Sequence, residues 1–127
     1  AVQGTPDAGP DDREADCNTD SAGTGFTKVP AGSRQRCVSI YGAHDMVGNV
    51  MEWVADWVPF SDTACPGWGS FSDDQMCFSG AVTNKTVPGV LVRGGANFFR
   101  EAAGPLTVNG TATLTEGFFS VGFRCVR

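Results

Sequence analysis

The sequence has little of what helical proteins are built from. Among its 127 residues are three leucines and one isoleucine, and long amphipathic helices usually draw on leucine. Its apolar side chains instead include 14 valines and nine phenylalanines, a β-branched and aromatic bias that favours strands. Together with 17 glycines and seven prolines, this composition excludes a helical bundle and predicts short strands under long loops.

Basic residues and long apolar runs are also scarce. Nine Lys and Arg are scattered along the chain against 14 Asp and Glu, which gives a net charge of -5 and makes nucleic acid an unlikely partner on electrostatic grounds. No apolar run approaches the roughly 18 residues of a membrane span. The single histidine, His44, has no evident nucleophile beside it and cannot alone form a multi-histidine metal site. A length of 127 residues fits one domain with a modest core.

The five cysteines are more informative, since no two of them form the Cys-x-x-Cys spacing of a zinc knuckle. They predict disulfides, and therefore a secreted, periplasmic or cell-surface location. We expect Cys65 and Cys77 to close one loop and Cys17 and Cys37 to form a second pair, although five cysteines allow other pairings. Cys125 is then the odd thiol, and its place in an apolar segment predicts that it is buried and inert.

The order of polar and apolar segments predicts the organisation of the chain. Residues 1–36 are polar and turn-rich and indicate a loop-rich arm. A turn is expected around Asp45–Asn49, followed by a strand over Glu52–Trp57 whose two tryptophans lie in the core. Further strands are expected at Val90–Arg93, ended by Gly94 and Gly95, and across 118–126.

Three motifs carry a family resemblance: Gly-Ala-His-Asp-Met-Val-Gly-Asn-Val-Met-Glu-Trp at 42–53, Arg-Gly-Gly at 93–95, and Gly-Phe-Arg-Cys at 122–125. In this order they resemble the formylglycine-generating enzyme (sulfatase-modifying factor) family. The resemblance covers most of residues 17–127 and implies an α+β, loop-rich, C-type lectin-like fold with short antiparallel strands and little helix. It matches only the carboxy-terminal part of the family domain, so we expect a missing amino-terminal half or an unusually reduced member.

The resemblance also bears on catalysis. Family members that oxidise a target cysteine bind copper through two cysteines shortly after Arg-Gly-Gly, and these positions fall on Phe99 and Gly104 here. Neither residue offers the soft thiolate that Cu(I) requires, and no cysteine lies between Arg93 and Gly122. This departure from the family pattern implies that copper chemistry is absent. It favours a protein that is not an enzyme.

A calcium site is the other property that the resemblance implies. The family binds Ca²⁺ through the first motif, and the matching positions here are Asp45, Gly48, Asn49 and Glu52. Ca²⁺ takes six to eight oxygen ligands, which carboxylates, an amide and backbone carbonyls in one tight turn can supply. The alternative is that Asp45 and Asn49 stabilise the turn and that Glu52 pairs with an arginine.

These observations favour a non-catalytic binding or scaffold module. The same scaffold displays variable loops in the proteins of diversity-generating retroelements, so residues 96–120 are the expected display surface for a protein or small-molecule ligand. Two alternatives stay open: an oxidase completed by a missing half or using another metal, and a structural subunit of an extracellular assembly that includes a second chain. The candidate binding residues are Trp68, Asn97, Phe98, Phe99 and Arg100.

Overall fold

The part of the chain that the structure describes contains six strands. A computed structural model describes residues 2–3, 15–20, 27–60, 86–113, 115 and 117–125. Within them a two-stranded sheet pairs β1 with β2, and a four-stranded sheet has the order β5-β4-β3-β6. The strands are β1 Val2–Gln3, β2 Val38–Ser39, β3 Met51–Val58, β4 Gly89–Arg93, β5 Val108–Ala112 and β6 Val121–Phe123.

The larger sheet is mixed, which corrects the expectation of antiparallel strands alone. β3 pairs antiparallel with β4 and β4 antiparallel with β5, but β6 lies parallel to β3. The helical structure in the described ranges is one 3-10 turn at Arg100–Ala102. These residues therefore form a small, mostly β domain with little helix, and the α+β class is too helical for them.

The predicted turn and the strand that follows it are confirmed. Asp45 and Asn49 both have positive φ, at 55° and 60°, and Gly48 between them has φ 74°. Aspartate and asparagine tolerate this left-handed region better than most residues. A side chain on Gly48 would collide with the backbone carbonyl of Asn18. The chain thus reverses tightly at the motif before β3 begins at Met51, one residue earlier than expected.

The second motif ends a strand as predicted. β4 runs from Gly89 to Arg93, and the two glycines that follow both have positive φ. At Gly95 a Cβ would lie 2.8 Å from the Cα of Ala103. The glycine therefore allows the loop after β4 to fold closely back on itself.

The closing strand is shorter than predicted. β6 spans only Val121–Phe123, because the preceding residues form a turn in which the Val121 N–H donates to the Phe118 carbonyl at 3.3 Å. Arg124 then leaves the strand to reach Glu52. The prediction of a buried thiol at Cys125 is wrong for the same reason, since Cys125 lies beyond the strand and is exposed.

A disulfide lies at the centre of one part of the core. Cys17 and Cys37 are bonded to each other, which confirms that pairing. Both are fully buried and cluster with Val47 and Ala103. This cluster holds the described part of the arm against the turn at Asp45–Asn49, which we call the motif turn. Cys65 and Cys77 lie outside the described residues. The larger sheet supplies further buried apolar residues: Val90 and Val92 on β4, and Val108 and Ala112 on β5.

The prediction that both tryptophans of β3 lie in the core is wrong for Trp57, which is 60% exposed. Trp53 is partly buried. Between them β3 contains a bulge, because Trp53 pairs with Val92 whereas Trp57 pairs with Val90. Four steps along β3 therefore span two steps along β4, and the strand arches away from its partner.

No helix in the described ranges is both long and apolar enough to span a lipid bilayer.

Candidate functional site

Asn49 connects the motif turn to the arm. Its backbone N–H donates to the Asn18 carbonyl at 2.7 Å. Its side-chain oxygen accepts from the Val29 N–H at 3.0 Å and from Asn18 Nδ2 at 3.2 Å, and its Nδ2 donates to the Val29 carbonyl at 3.0 Å. Both the oxygen and the nitrogen of this buried amide form hydrogen bonds within the protein. The Asn49 side chain therefore connects its own turn to the segments that contain Asn18 and Val29.

Asp45 is buried beside this connection. It is 6% exposed, and its Oδ2 accepts from the Gly32 N–H at 2.7 Å. Its Oδ1 is buried and has no hydrogen-bond partner among the described residues. A buried carboxylate oxygen without a partner is costly, so Asp45 keeps one oxygen available for a cation or a water molecule.

Glu52 is held by Arg124 from the third motif. Arg124 Nε donates to both carboxylate oxygens at 3.1 and 3.0 Å, and Nη2 donates to Glu52 and to the His44 carbonyl, the latter at 2.7 Å. The hydrogen bond to Glu52 raises the pKa of Arg124, and the charge of Asp45 adds to this effect. The two motifs therefore meet in a charge pair, as in the alternative given for Glu52, and the structure identifies the arginine as Arg124.

The four predicted calcium ligands do not fit one ion as a set in this arrangement. Asn49 and Glu52 already form hydrogen bonds with other groups of the protein. The Arg124 cation lies close enough to interact electrostatically with Asp45. Asp45 does fit a ligand role through its free Oδ1. Within the described ranges no group of three or more His, Cys, Asp or Glu side chains gathers into a metal cluster. The calcium site stays a prediction, and Asp45 is the predicted ligand whose side chain has an oxygen without a hydrogen bond among the described residues.

Of the two residues that the resemblance matches to the copper-binding cysteines, Phe99 is partly buried and Gly104 is buried. Phe99 packs against the cluster of Cys17, Cys37, Val47 and Ala103. Gly104 is buried next to Ala103. An aromatic ring therefore occupies the first of these positions and packs against the cluster that contains the disulfide.

The predicted binding residues are placed differently from one another. Asn97 is 1% exposed, and its N–H donates to the Asn49 carbonyl at 3.2 Å, so its side chain is not part of a surface. Arg100 is exposed and its Nε donates to Asp20 at 3.3 Å. Phe98 and Phe99 do not lie on a strand, and their rings meet edge to face. Trp68 lies outside the described residues.

Phe98 belongs to a surface that overlaps only partly with the candidate binding residues. Its ring stacks on Phe119 with 6.2 Å between centroids. Lys28 lies 5.7 Å above the Phe119 ring and donates to the Phe119 carbonyl at 2.7 Å. We call Lys28, Phe98 and Phe119 the aromatic surface. Phe119 falls within the expected display range 96–120, but nothing in the sequence indicates that Lys28, in the arm, would join it.

Comparison with known proteins agrees with the motifs. No curated protein and no solved structure matches the chain. The family model described as the sulfatase-modifying factor enzyme 1-like domain matches residues 10–127, a range that contains the motif turn, the Glu52–Arg124 pair and the aromatic surface. Because this match spans most of the chain, the protein belongs to the family of sulfatase-modifying factor enzyme 1-like domains.

Proposed function

We propose that this domain is a non-catalytic binding module of the sulfatase-modifying-factor type that acts outside the cytoplasm. The observation that carries the proposal is the packing of Phe99 against the buried cluster that contains the Cys17–Cys37 disulfide. At the position matched to a copper-binding cysteine, the chain has an aromatic ring that packs on its core. A phenylalanine ring has no thiolate to donate to Cu(I).

The location and the fold class in the proposal have separate support. A buried disulfide is typical of proteins from oxidising compartments, which favours a secreted, periplasmic or cell-surface site. The short strands and the scarcity of helix are compatible with the C-type lectin-like fold that the motifs imply. Binding residues lie disproportionately on the loops of a rigid scaffold.

The aromatic surface is the part of the display range best suited to a partner. Phe119 is 69% exposed, although an aromatic ring of this size is usually buried. Its backbone and ring both contact Lys28, and Phe98 stacks on the ring. An exposed aromatic in a fixed position loses little conformational entropy on binding, which is the property of interface anchors.

The absence of oxidase activity can be tested directly. Cu(I) is titrated against bicinchoninate with the purified domain, and oxygen uptake is followed with a cysteine-containing sulfatase peptide. We expect no oxygen uptake, and no Cu(I) binding that survives in Cys125→Ser, the variant that lacks the exposed thiol. Stoichiometric Cu(I) binding by that variant together with peptide turnover would overturn the non-catalytic assignment.

Calcium enters the proposal through Asp45 alone. A site with one free carboxylate oxygen and backbone carbonyls should be weak, with a dissociation constant of about 1 mM. At about 5 mM Ca²⁺ such a site stabilises the fold by about 1 kcal/mol, which raises the Tm of a domain this size by about 3–5 °C. Differential scanning fluorimetry in Ca²⁺ and in EGTA measures this shift.

Two variants identify the ligand. Asp45→Asn should abolish the Ca²⁺-dependent shift, whereas Glu52→Gln should keep it despite losing charge from the Arg124 pair. A parent protein that unfolds at the same temperature in Ca²⁺ and in EGTA would rule the site out. A shift that depends on Glu52 instead would mean that Ca²⁺ displaces Arg124.

A further inference from the structure

The bulge in β3 brings two indole side chains together. Trp53 pairs with Val92 and Trp57 with Val90, and residues directly opposite each other on antiparallel strands share a face of the sheet. Since Val90 and Val92 are two residues apart, the two tryptophans occupy successive positions on that face, as residues i and i+2 do in a regular strand. The residues between them are pushed out of register.

A cleft of about 310 Å³ lies at this bulge. That volume is at the lower end of the range of small-molecule sites, roughly 300–1,000 Å³. Val90 is buried, yet Trp57 opposite it is 60% exposed. The apolar face of the sheet is therefore open to solvent here. The cleft is lined by Trp53, Val54, Ala55, Asp56, Trp57, Val90 and Arg124.

The polar groups of the wall restrict the charge of a ligand. Asp56 contributes a carboxylate that disfavours anions. Arg124 contributes a guanidinium that disfavours cations, although its charge is balanced by Glu52. The wall therefore suits a ligand without net charge.

Hydrogen bonding narrows the class further. The Arg124 guanidinium only donates, so it pairs with a ligand that brings an acceptor oxygen. The Asp56 carboxylate only accepts, so it pairs with a donor from the same ligand. A hydroxyl group meets both needs.

We propose that the cleft binds one uncharged pyranose residue of a saccharide. The apolar C–H face of the sugar ring would pack on the exposed indole of Trp57. Its hydroxyl groups would donate to Asp56 and accept from Arg124. This site is distinct from the aromatic surface and does not depend on the non-catalytic assignment.

The test follows the three indole N–H signals of the ¹⁵N-labelled full chain in two-dimensional NMR. The probes are methyl α-glucopyranoside, methyl α-mannopyranoside, methyl β-galactopyranoside and N-acetylglucosamine, titrated into the millimolar range typical of single-sugar binding. We expect at least one of them to move the Trp53 and Trp57 signals saturably. Trp57→Ala should weaken that binding about tenfold or more, and Asp56→Asn about threefold, since each removes one main contact.

Controls separate the site from a general loss of structure. Trp57 and Asp56 are exposed, so both variants should keep the dispersed spectrum of the parent. Trp57→Phe should retain most of the binding because it keeps an aromatic ring. Phe119→Ala, which alters the aromatic surface, should bind the sugar as the parent does.

Three results would overturn the proposal. One is the lack of a saturable shift with any of the four sugars. Another is a Trp57→Ala variant that binds as well as the parent. The third is a stronger response to choline or to glucuronate than to the neutral sugars, which would assign the cleft to a charged ligand.

Discussion

Replacing Cys17 and Cys37 together by alanine is expected to lower the Tm by roughly 10–20 °C. The bond closes a loop with a sequence separation of 20 residues, for which the chain-entropy model gives a stabilisation of about 3 kcal/mol. The two sulfur atoms also fill the centre of the cluster that contains Val47 and Ala103. Their removal leaves a cavity, which adds to the loss.

Thermal unfolding followed by circular dichroism measures this effect. Cys125→Ser is the matched control, because its thiol is exposed and free, and it should unfold within about 1 °C of the parent. Peptide mapping without reduction should recover Cys17 linked to Cys37. A double variant as stable as the parent would mean that the bond contributes nothing and that the cluster repacks without it.

The second large effect is expected at Asn49. Asn49→Ala removes the acceptor of the Val29 N–H and the donor to the Val29 carbonyl, and it removes one partner of the Asn18 amide. Each buried group left without a partner costs about 1–3 kcal/mol. We expect a loss of about 3–4 kcal/mol in the free energy of unfolding, measured by urea denaturation.

Two further variants separate the causes. Asn49 has a φ of 60°, so Asn49→Gly should recover about 1 kcal/mol relative to Asn49→Ala by relieving backbone strain. Asn109→Ala is a matched control, since that side chain accepts two bonds from Thr111 only two residues away. It should cost about 1 kcal/mol or less. Equal losses at positions 49 and 109 would contradict the role of Asn49 in joining distant segments.

Local features of the fold could be predicted from the sequence because their causes are local. The turn at 45–49 follows from residue types that tolerate positive φ, and β4 ends where Gly94 and Gly95 permit the same conformation. The Cys17–Cys37 bond differs, because five cysteines allow several pairings and the sequence alone does not select this one. For the turn and the strand end, the determining residues lie close together in the chain.

Contacts between distant segments could not be predicted in this way. Lys28 meets Phe119 across 91 residues, and Arg124 meets Glu52 across 72, distances over which a single sequence contains no pairing signal. The exposure of Trp57 was missed because alternation of apolar residues indicates which face a side chain occupies, but not whether anything covers that face. The sequence predicted Asp45, Asn49 and Glu52 as site residues. It did not identify the residues that they contact: Gly32, Val29 and Arg124.

The pairing of Val58 with Gly89 has a consequence for engineering and for sequence drift. These two residues fix both ends of the connection from β3 to β4 at adjacent positions, whatever chain runs between them. Loop-closure entropy rises slowly with length, by about 0.6 kcal/mol for each doubling. An inserted peptide should therefore add little to the loop-closure cost of this connection.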